Sequence, residues 1–184
     1  LARTYNHFWK YRGLFGKHWN SSFDYSLVWT QGEGTMFAQR PDGRRIKFLR
    51  TPIEDRIRKW FEDKADPVAY MVRGAAPNTF VLYTEDLTVE TYEGSGRPIS
   101  IIDSHGIGWY YTYQNNYLFR VTHTSGRYVE FTWTGNQLTQ VRAPDGSFFN
   151  YTYAANALGT GNPRLSTSST PPSPGNPATT TTYY

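Results

Sequence analysis

The chain contains no cysteine. That removes disulfide frameworks, thiolate metal sites and cysteine nucleophiles together. Methionine is nearly as scarce, with 2 residues. No run approaches the roughly 18 consecutive apolar residues of a membrane-crossing helix. Charge is thin, at 18% of residues, and no lysine follows Lys64. The net charge of +4 is unevenly spread: residues 1–75 hold 14 Lys+Arg against 8 Asp+Glu, and residues 76–184 hold 5 against 7. Acids interspersed among the bases make a mixed, solvated surface rather than a nucleic-acid stripe. The chain is therefore expected to take no nucleic acid and to have no membrane span.

Aromatic residues are abundant. There are 6 Trp, 15 Tyr and 11 Phe, 17% of the chain, and a further 22 Thr. Aromatic and β-branched side chains pack across strands, so this composition predicts sheet and argues against a helical bundle. The predicted fold is all-β.

A repeat of 20 residues organises the second half. Gly106, Gly126 and Gly146 keep that spacing, as do Thr112, Thr132 and Thr152. Around them fall three triplets at one parity: Trp109/Tyr111/Tyr113, Val129/Phe131/Trp133 and Phe149/Tyr151/Tyr153. Successive side chains on a strand alternate between faces, so each triplet lies on one face, with mostly polar residues such as Glu130 and Asn150 on the other. Short apolar pairs precede each glycine: Leu118…Val121, Leu138…Val141 and, one residue out of phase, Ile99…Ile102. Pro144-Asp145-Gly146 and Ser125-Gly126 read as hairpin turns with glycine supplying a positive φ, and Thr134-Gly135-Asn136 joins one unit to the next. Each unit is a β-hairpin, and the units chain into an extended antiparallel sheet.

Weaker signals lie upstream. Pro41-Asp42-Gly43 is followed by Phe48 at the offset that links Gly106 to Tyr111, and residues 82–92 alternate as a strand or strand pair. Thr51-Pro52-Ile53-Glu54 fits a helix start, giving one short helix over about 52–63 or, alternatively, a strand through Trp60-Phe61. The expected organisation is a β-rich domain over 1–95, three hairpin repeats over 96–158, a Pro/Ser/Thr/Gly-rich loop over 159–178, and the start of a further, truncated repeat over 179–184. The beginning, Leu1-Ala2-Arg3, and the end, Tyr183-Tyr184, read as those of a piece of a longer chain.

The run from Asn136 through Leu138, Val141 and Pro144-Asp145-Gly146 to Tyr151-x-Tyr153 resembles the YD repeats of Rhs proteins. Arg3-Thr4-Tyr5-Asn6, Gly13-Leu14-Phe15-Gly16-Lys17-His18-Trp19 and Phe23-Asp24-Tyr25 look like the domain that precedes those repeats. In this sequence Gln114, Thr134 and Ala154 stand where the repeat's Asp would be. His18 stands in place of a glycine, which implies an altered local turn. The resemblance implies a hollow β-shell enclosing a C-terminal toxin, in bacterial contact-dependent competition and insecticidal toxin complexes, with a related shell in teneurins. It implies that this segment is an N-terminal part of such a shell, secreted or on the cell surface. Its partners would be the rest of its own chain, including further repeats and the toxin, and a component of a secretion system. The segment contains no toxin domain and no Asp-Pro-x-Gly self-cleavage region.

Reactive constellations are poorly represented. His7, His18, His105 and His123 lack metal-binding spacings, so neither a metal nor a cofactor is expected. Glu54-Asp55, Glu62-Asp63 and Glu85-Asp86 are adjacent acids, which on a strand point to opposite faces and make poor glycosidase pairs. Asp145-Gly146-Ser147 is accounted for by the hairpin turn, and no Gly-x-Ser-x-Gly elbow exists. Gly32-Glu33-Gly34 and Gly94-Ser95-Gly96 are too short for phosphate loops. Asn20-Ser21-Ser22 and Asn150-Tyr151-Thr152 fit the glycosylation pattern. No catalytic residue is assigned, and the chain is not expected to be an enzyme. Gly43, Gly106, Gly126 and Gly146 are expected as structural turn residues. The aromatic triplets have two readings: a buried core face, or an exposed carbohydrate platform of Trp109, Tyr111, Trp133 and Tyr153. A patch of that size left exposed would exceed what soluble proteins show, which favours the core reading.

Overall fold

The computed structural model describes residues 1–9, 12–51, 59–155, 163–172 and 177–183. Among them are nineteen strands and one short 3-10 turn at Gln31–Glu33. The fold is all-β, as the composition predicts. Four short strands come first: β1 (Arg3–Tyr5), β2 (Arg12–Gly13), β3 (Gly16–Lys17) and β4 (Trp19–Ser21). β1 pairs with β4, and β2 with β3. Then follow β5 (Ser26–Trp29), β6 (Thr35–Gln39), β7 (Arg45–Arg50), β8 (Lys59–Glu62), β9 (Tyr70–Arg73), β10 (Thr79–Tyr83), β11 (Val89–Glu93) and β12 (Pro98–Ile102). The last are β13 (Gly108–Gln114), β14 (Tyr117–His123), β15 (Tyr128–Thr134), β16 (Gln137–Arg142), β17 (Phe148–Ala154), β18 (Arg164–Thr170) and β19 (Thr179–Thr182). From β5 to β19 the strands lie in sequence order in one 15-stranded sheet, and every described pairing is antiparallel.

Two compact units divide the chain. One comprises Phe23–Tyr111 and His123–Ser125. Its core is one face of strands β5–β11: Leu27, Met36, Ala38, Phe48, Trp60, Met71, Phe80, Leu82 and Tyr92 are all buried. They fall opposite one another in register, with Met36 facing Phe48, Trp60 facing Met71 and Phe80 facing Tyr92. The face is dry because the strands curl until β5 meets the β11–β12 turn. There the Leu27 N–H donates to the Gly96 carbonyl at 2.8 Å. Gly96 has φ +88°, and a Cβ on it would lie 2.0 Å from the Leu27 carbonyl oxygen, so the closure needs glycine at this point. Trp29 and Trp60 both pack on Phe80, and the Trp60 indole N–H donates to the Glu33 carbonyl at 2.6 Å.

The other unit comprises Leu1–Ser22, Thr112–Thr122 and Gly126–Tyr184. Its hairpin strands bury Leu118, Val121, Phe131, Leu138, Val141 and Tyr151 on one face. The N-terminal segment lies against that face. Phe15 is fully buried and meets Tyr151 edge-on at 4.8 Å, Arg3 lies over both rings, and Trp19 packs on Tyr183. Arg12 donates to the Asn136 carbonyl at 2.7 Å. His18 takes φ +71°, so the left-handed conformation that glycine adopts freely is carried here by histidine.

One open reading is decided and two sequence expectations change. Of the two alternatives for residues 52–63, a short helix or a strand through Trp60-Phe61, residues 59–62 take the strand, β8, with Trp60 buried in the core; residues 52–58 lie outside the described residues. The apolar pair ahead of Gly106 is in phase after all. Pro98 and Ile101 hold the buried positions, while Ile99 and Ile102 are only half-buried. A bulge beside Pro98, which has no N–H to give the ladder, shifts the register there. Finally, the expected loop over 159–178 contains β18, paired with both β17 and β19. Between Pro163 and Pro171 lie seven residues free of Pro and Gly, and the prolines bound the strand instead of dissolving it.

Candidate functional site

The hairpin turns are built alike. In five described turns a residue donates its N–H to the carbonyl four positions on, and the residue three positions on donates back to it. The turns open at Arg40, Thr84, Glu93, Asp103 and Ala143. The fourth residue is left-handed each time: Gly43, Leu87, Gly96, Gly106 and Gly146, at φ 85°, 62°, 88°, 76° and 85°. Gly126, at φ 86°, shares the conformation. Only glycine enters this region without a steric cost, which favours it at these positions, and Leu87 is the exception among the five turns. Asp42 and Asp145 brace their turns by accepting the N–H two residues on, from Arg44 and Ser147, both at 2.9 Å. Hydrogen bonds from the Ser147 hydroxyl and N–H hold the Asp145 carboxyl below its usual range. Asp145-Gly146-Ser147 is thus occupied by turn construction.

The aromatic triplets divide within themselves. Their central members are buried, Tyr111 at 7%, Phe131 at 3% and Tyr151 at 6% exposure. The outer members Trp109, Trp133 and Tyr153 are half-buried. Trp109 sits between Phe23 and His123, at 5.4 and 4.7 Å. The Trp133 indole N–H donates to the Leu118 carbonyl at 2.8 Å, and the Tyr153 hydroxyl donates to the Leu138 carbonyl at 3.0 Å. These two bonds are copies of each other 20 residues apart, each running across a hairpin to the preceding strand. Burial pushes the Tyr153 phenol well up. The polar edges that a sugar platform would offer from Trp133 and Tyr153 are spent on the sheet itself.

A second arrangement went unread in the sequence. In the β5–β12 unit, Arg40 donates to the Glu90 carboxylate at 2.7 Å, and the two side chains are 9% and 4% exposed. The Tyr92 hydroxyl donates to the same oxygen at 2.5 Å. Burial raises the Tyr92 and Tyr25 phenols, with Glu90 adding to the rise. Burial opposes the Arg40 charge, but Glu90 beside it holds the guanidinium above its ordinary value. The group faces a cleft of about 410 Å³, whose wall also includes Arg44, Glu62, Glu85 and Asp86. The legible signal was parity: Glu90 stands two residues before Tyr92, so both point to the core face, where a lone carboxylate needs a partner.

The remaining candidates are dispersed. His7 stacks on His18 at 5.4 Å, His105 lies in a turn, and His123 contacts Ser125 and Trp109. No group of three or more His, Asp or Glu able to hold a metal occurs among the described residues. Glu62 and Glu85 both pair with Lys64, and Asp63 pairs with Lys47; Glu54-Asp55 lies outside the described residues. Asn20 is buried, whereas Asn150 is exposed and accepts from the Gln140 amide at 2.8 Å. No helix among the described residues is long and apolar enough to cross a membrane.

No curated protein matches this sequence. A family model does: residues 1–48 match the family described as a domain of unknown function, DUF6531. The match takes in the N-terminal segment that covers Tyr151, together with strands β5 and β6.

Proposed function

We propose that this chain is wall: a stretch of a tandem-hairpin β-shell of the Rhs (YD-repeat) type that encloses or presents a C-terminal toxin or effector. The observation that carries the reading is the copied turn. One two-bond design with a left-handed fourth residue recurs in both compact units, and the inward positions of the repeats recur every 20 residues with their cross-hairpin bonds. Copying of this kind multiplies surface; a reactive centre needs one arrangement, once. The family-model match over 1–48 falls on the segment whose sequence resembles the domain preceding such repeats. β19 ends the strand order with all four residues exposed, a ladder edge on which a further hairpin can pair.

In this role the segment works through ladder bonds and cross-strand packing, has no catalytic residue, and meets the rest of its own chain first. A secretion-system component would be a further partner, and the site of action would lie outside the bacterial cell or at its surface. The test is limited proteolysis of the complete gene product that carries this segment. A C-terminal domain resistant in the intact protein, and rapidly digested when the hairpin region is deleted, is the expected result. Equal digestion in both would reject enclosure.

A further inference from the structure

The β5–β12 unit carries charge where its fold asks for none. Arg40 and Glu90 are the charged residues that lie buried among the described ones. Glu90 stands in register between Leu82 on β10 and Ile101 on β12, where an apolar side chain would continue the core. A buried ion pair is often no more stabilising than apolar packing of the same volume, because desolvation offsets the attraction. The wall alone therefore does not account for the pair.

The pair forms part of the lining of the cleft of about 410 Å³, a volume within the range of small-ligand sites, roughly 300–1,000 Å³. Four carboxylates, those of Glu62, Glu85, Asp86 and Glu90, line it against the guanidiniums of Arg40 and Arg44. Charged partners from outside the lining leave that balance as it is: Lys64 joins Glu62 and Glu85, and Asp42 joins Arg44. An excess of two negative charges remains. Asp86 accepts from the Thr84 hydroxyl and the Thr88 N–H, neutral donors that do not offset its charge. Glu90 is 3% exposed, and the bonds it accepts from Arg40 and Tyr92 both end on Oε2. Its field extends to Tyr25 in the same lining, whose phenol is raised first by burial and then by Glu90. Ile46, Phe48, Ala69 and Ile101 supply apolar lining.

We propose that this cleft binds a linear aliphatic polyamine, with one ammonium at the buried Glu90 and another at the exposed carboxylates of Glu85 and Asp86. Ammonium groups donate to carboxylates in strong, charge-assisted hydrogen bonds, and two of them match the excess charge of the lining. The methylenes that join them pack on the apolar lining, as lysine stems pack on apolar surface elsewhere. The chain's own Lys64 has the same chemistry, a primary ammonium on an aliphatic stem, and it is shared between Glu62 and Glu85. An anion gains little from Arg40, whose charge Glu90 meets at 2.7 Å. The assignment stands apart from the wall reading: it concerns one cleft of the β5–β12 unit, whatever the sheet encloses.

The experiment is calorimetric titration of the 184-residue chain at low salt with putrescine, cadaverine and spermidine, and with butylamine and magnesium chloride as controls. The variants are Glu90→Gln and Asp86→Asn, whose amide oxygens can still accept the bonds from Tyr92, Thr84 and Thr88. Expected is saturable binding of at least one polyamine, weakened about tenfold in Glu90→Gln and about threefold in the exposed Asp86→Asn. No saturation by any of the polyamines up to about 10 mM would overturn the proposal. So would butylamine or magnesium binding as tightly as the best polyamine, since either would show charge attraction without two stations. Unchanged affinity in a variant that keeps its melting temperature would also overturn it. Should Glu90→Gln melt early, Asp86→Asn is read alone against the same outcomes.

Discussion

The two compact units solve one problem differently. In the β5–β12 unit the sheet covers itself: its strands curl until Leu27 bonds Gly96, and Phe48, Trp60, Phe80 and Tyr92 are shut off by their own neighbours. In the repeat unit a face of similar chemistry is closed by a different part of the chain, with Phe15 of the N-terminal segment seated on Tyr151. Burial by curling needs strands that differ, because the inside of a closed curve is crowded and irregular. Burial by a covering segment leaves the strands free to be copies. The regular half of the sequence is therefore the half whose face is covered from outside its own hairpins.

The largest expected effect tests the self-covered core. Arg40→Met leaves Glu90 buried without its charge partner and should destabilise that unit by about 3–5 kcal/mol. Adding Glu90→Leu should recover most of the loss, because the cost arises from an uncompensated charge rather than from a missing attraction. Denaturant melts of the two single variants and the double variant provide the cycle. Additive losses would show that Arg40 and Glu90 act separately.

Removing the cover is the matching perturbation. Phe15→Ala empties a fully buried aromatic site and should cost about 3 kcal/mol. The loss should be local: amide exchange accelerates over residues 1–22 and at Tyr151, while Phe48 and Trp60 keep their protection. Uniform acceleration in both units would mean that the N-terminal segment is not a separate cover.

How much of this was readable follows the same division. The repeats were legible because 20-residue spacing, alternation and turn glycines agree with one another, so the strands and their buried face followed from local rules. The self-covered core was less so. Trp60 sits in a stretch whose apolar spacing suits a helix as well as a strand, and its place was decided by pairing with Met71, a residue chosen by the fold. β18 was hidden by the prolines at its two ends. The Arg40–Glu90 pair joins residues 50 positions apart, which no local pattern reports. The Trp133 and Tyr153 bonds to strand carbonyls are equally invisible, since a carbonyl acceptor leaves no mark on residue identity.

The turns give a finer comparison. Leu87 occupies the left-handed position that glycine fills in four sister turns, and it is 66% exposed. Nothing in its packing offsets the strain, so Leu87→Gly should stabilise the protein by about 0.5–1 kcal/mol. Gly146→Ala imposes the converse and should destabilise by about 1 kcal/mol. Thermal melts of the two variants should shift in opposite directions. A loss of stability in Leu87→Gly would indicate that the leucine makes a contact worth more than its backbone costs.

The smallest effect is electrostatic and belongs to the repeat unit alone. Glu130 stands in register between Arg120 and Arg142 on the neighbouring strands, bonded at 2.6 and 3.2 Å. Hydrogen bonds from Arg120, then Arg142, hold its carboxyl below the usual range, with burial opposing them more weakly than Arg120 favours them. A carboxylate whose pKa is lower folded than unfolded contributes stability above its unfolded value, about 4.3, and loses it as pH falls through the lower folded value. Stability should therefore decline on acidification below that point, with a part of the decline absent in Glu130→Gln. All three side chains reach solvent, so the contribution is small and salt should shrink it further. Among its described residues the β5–β12 unit contains no copy of this cross-strand triplet. Because salt screens exposed charge pairs, at high salt the acid limbs of Glu130→Gln and the unaltered protein should converge. A difference that persisted in 1 M salt would place the Glu130 contribution in packing instead of charge.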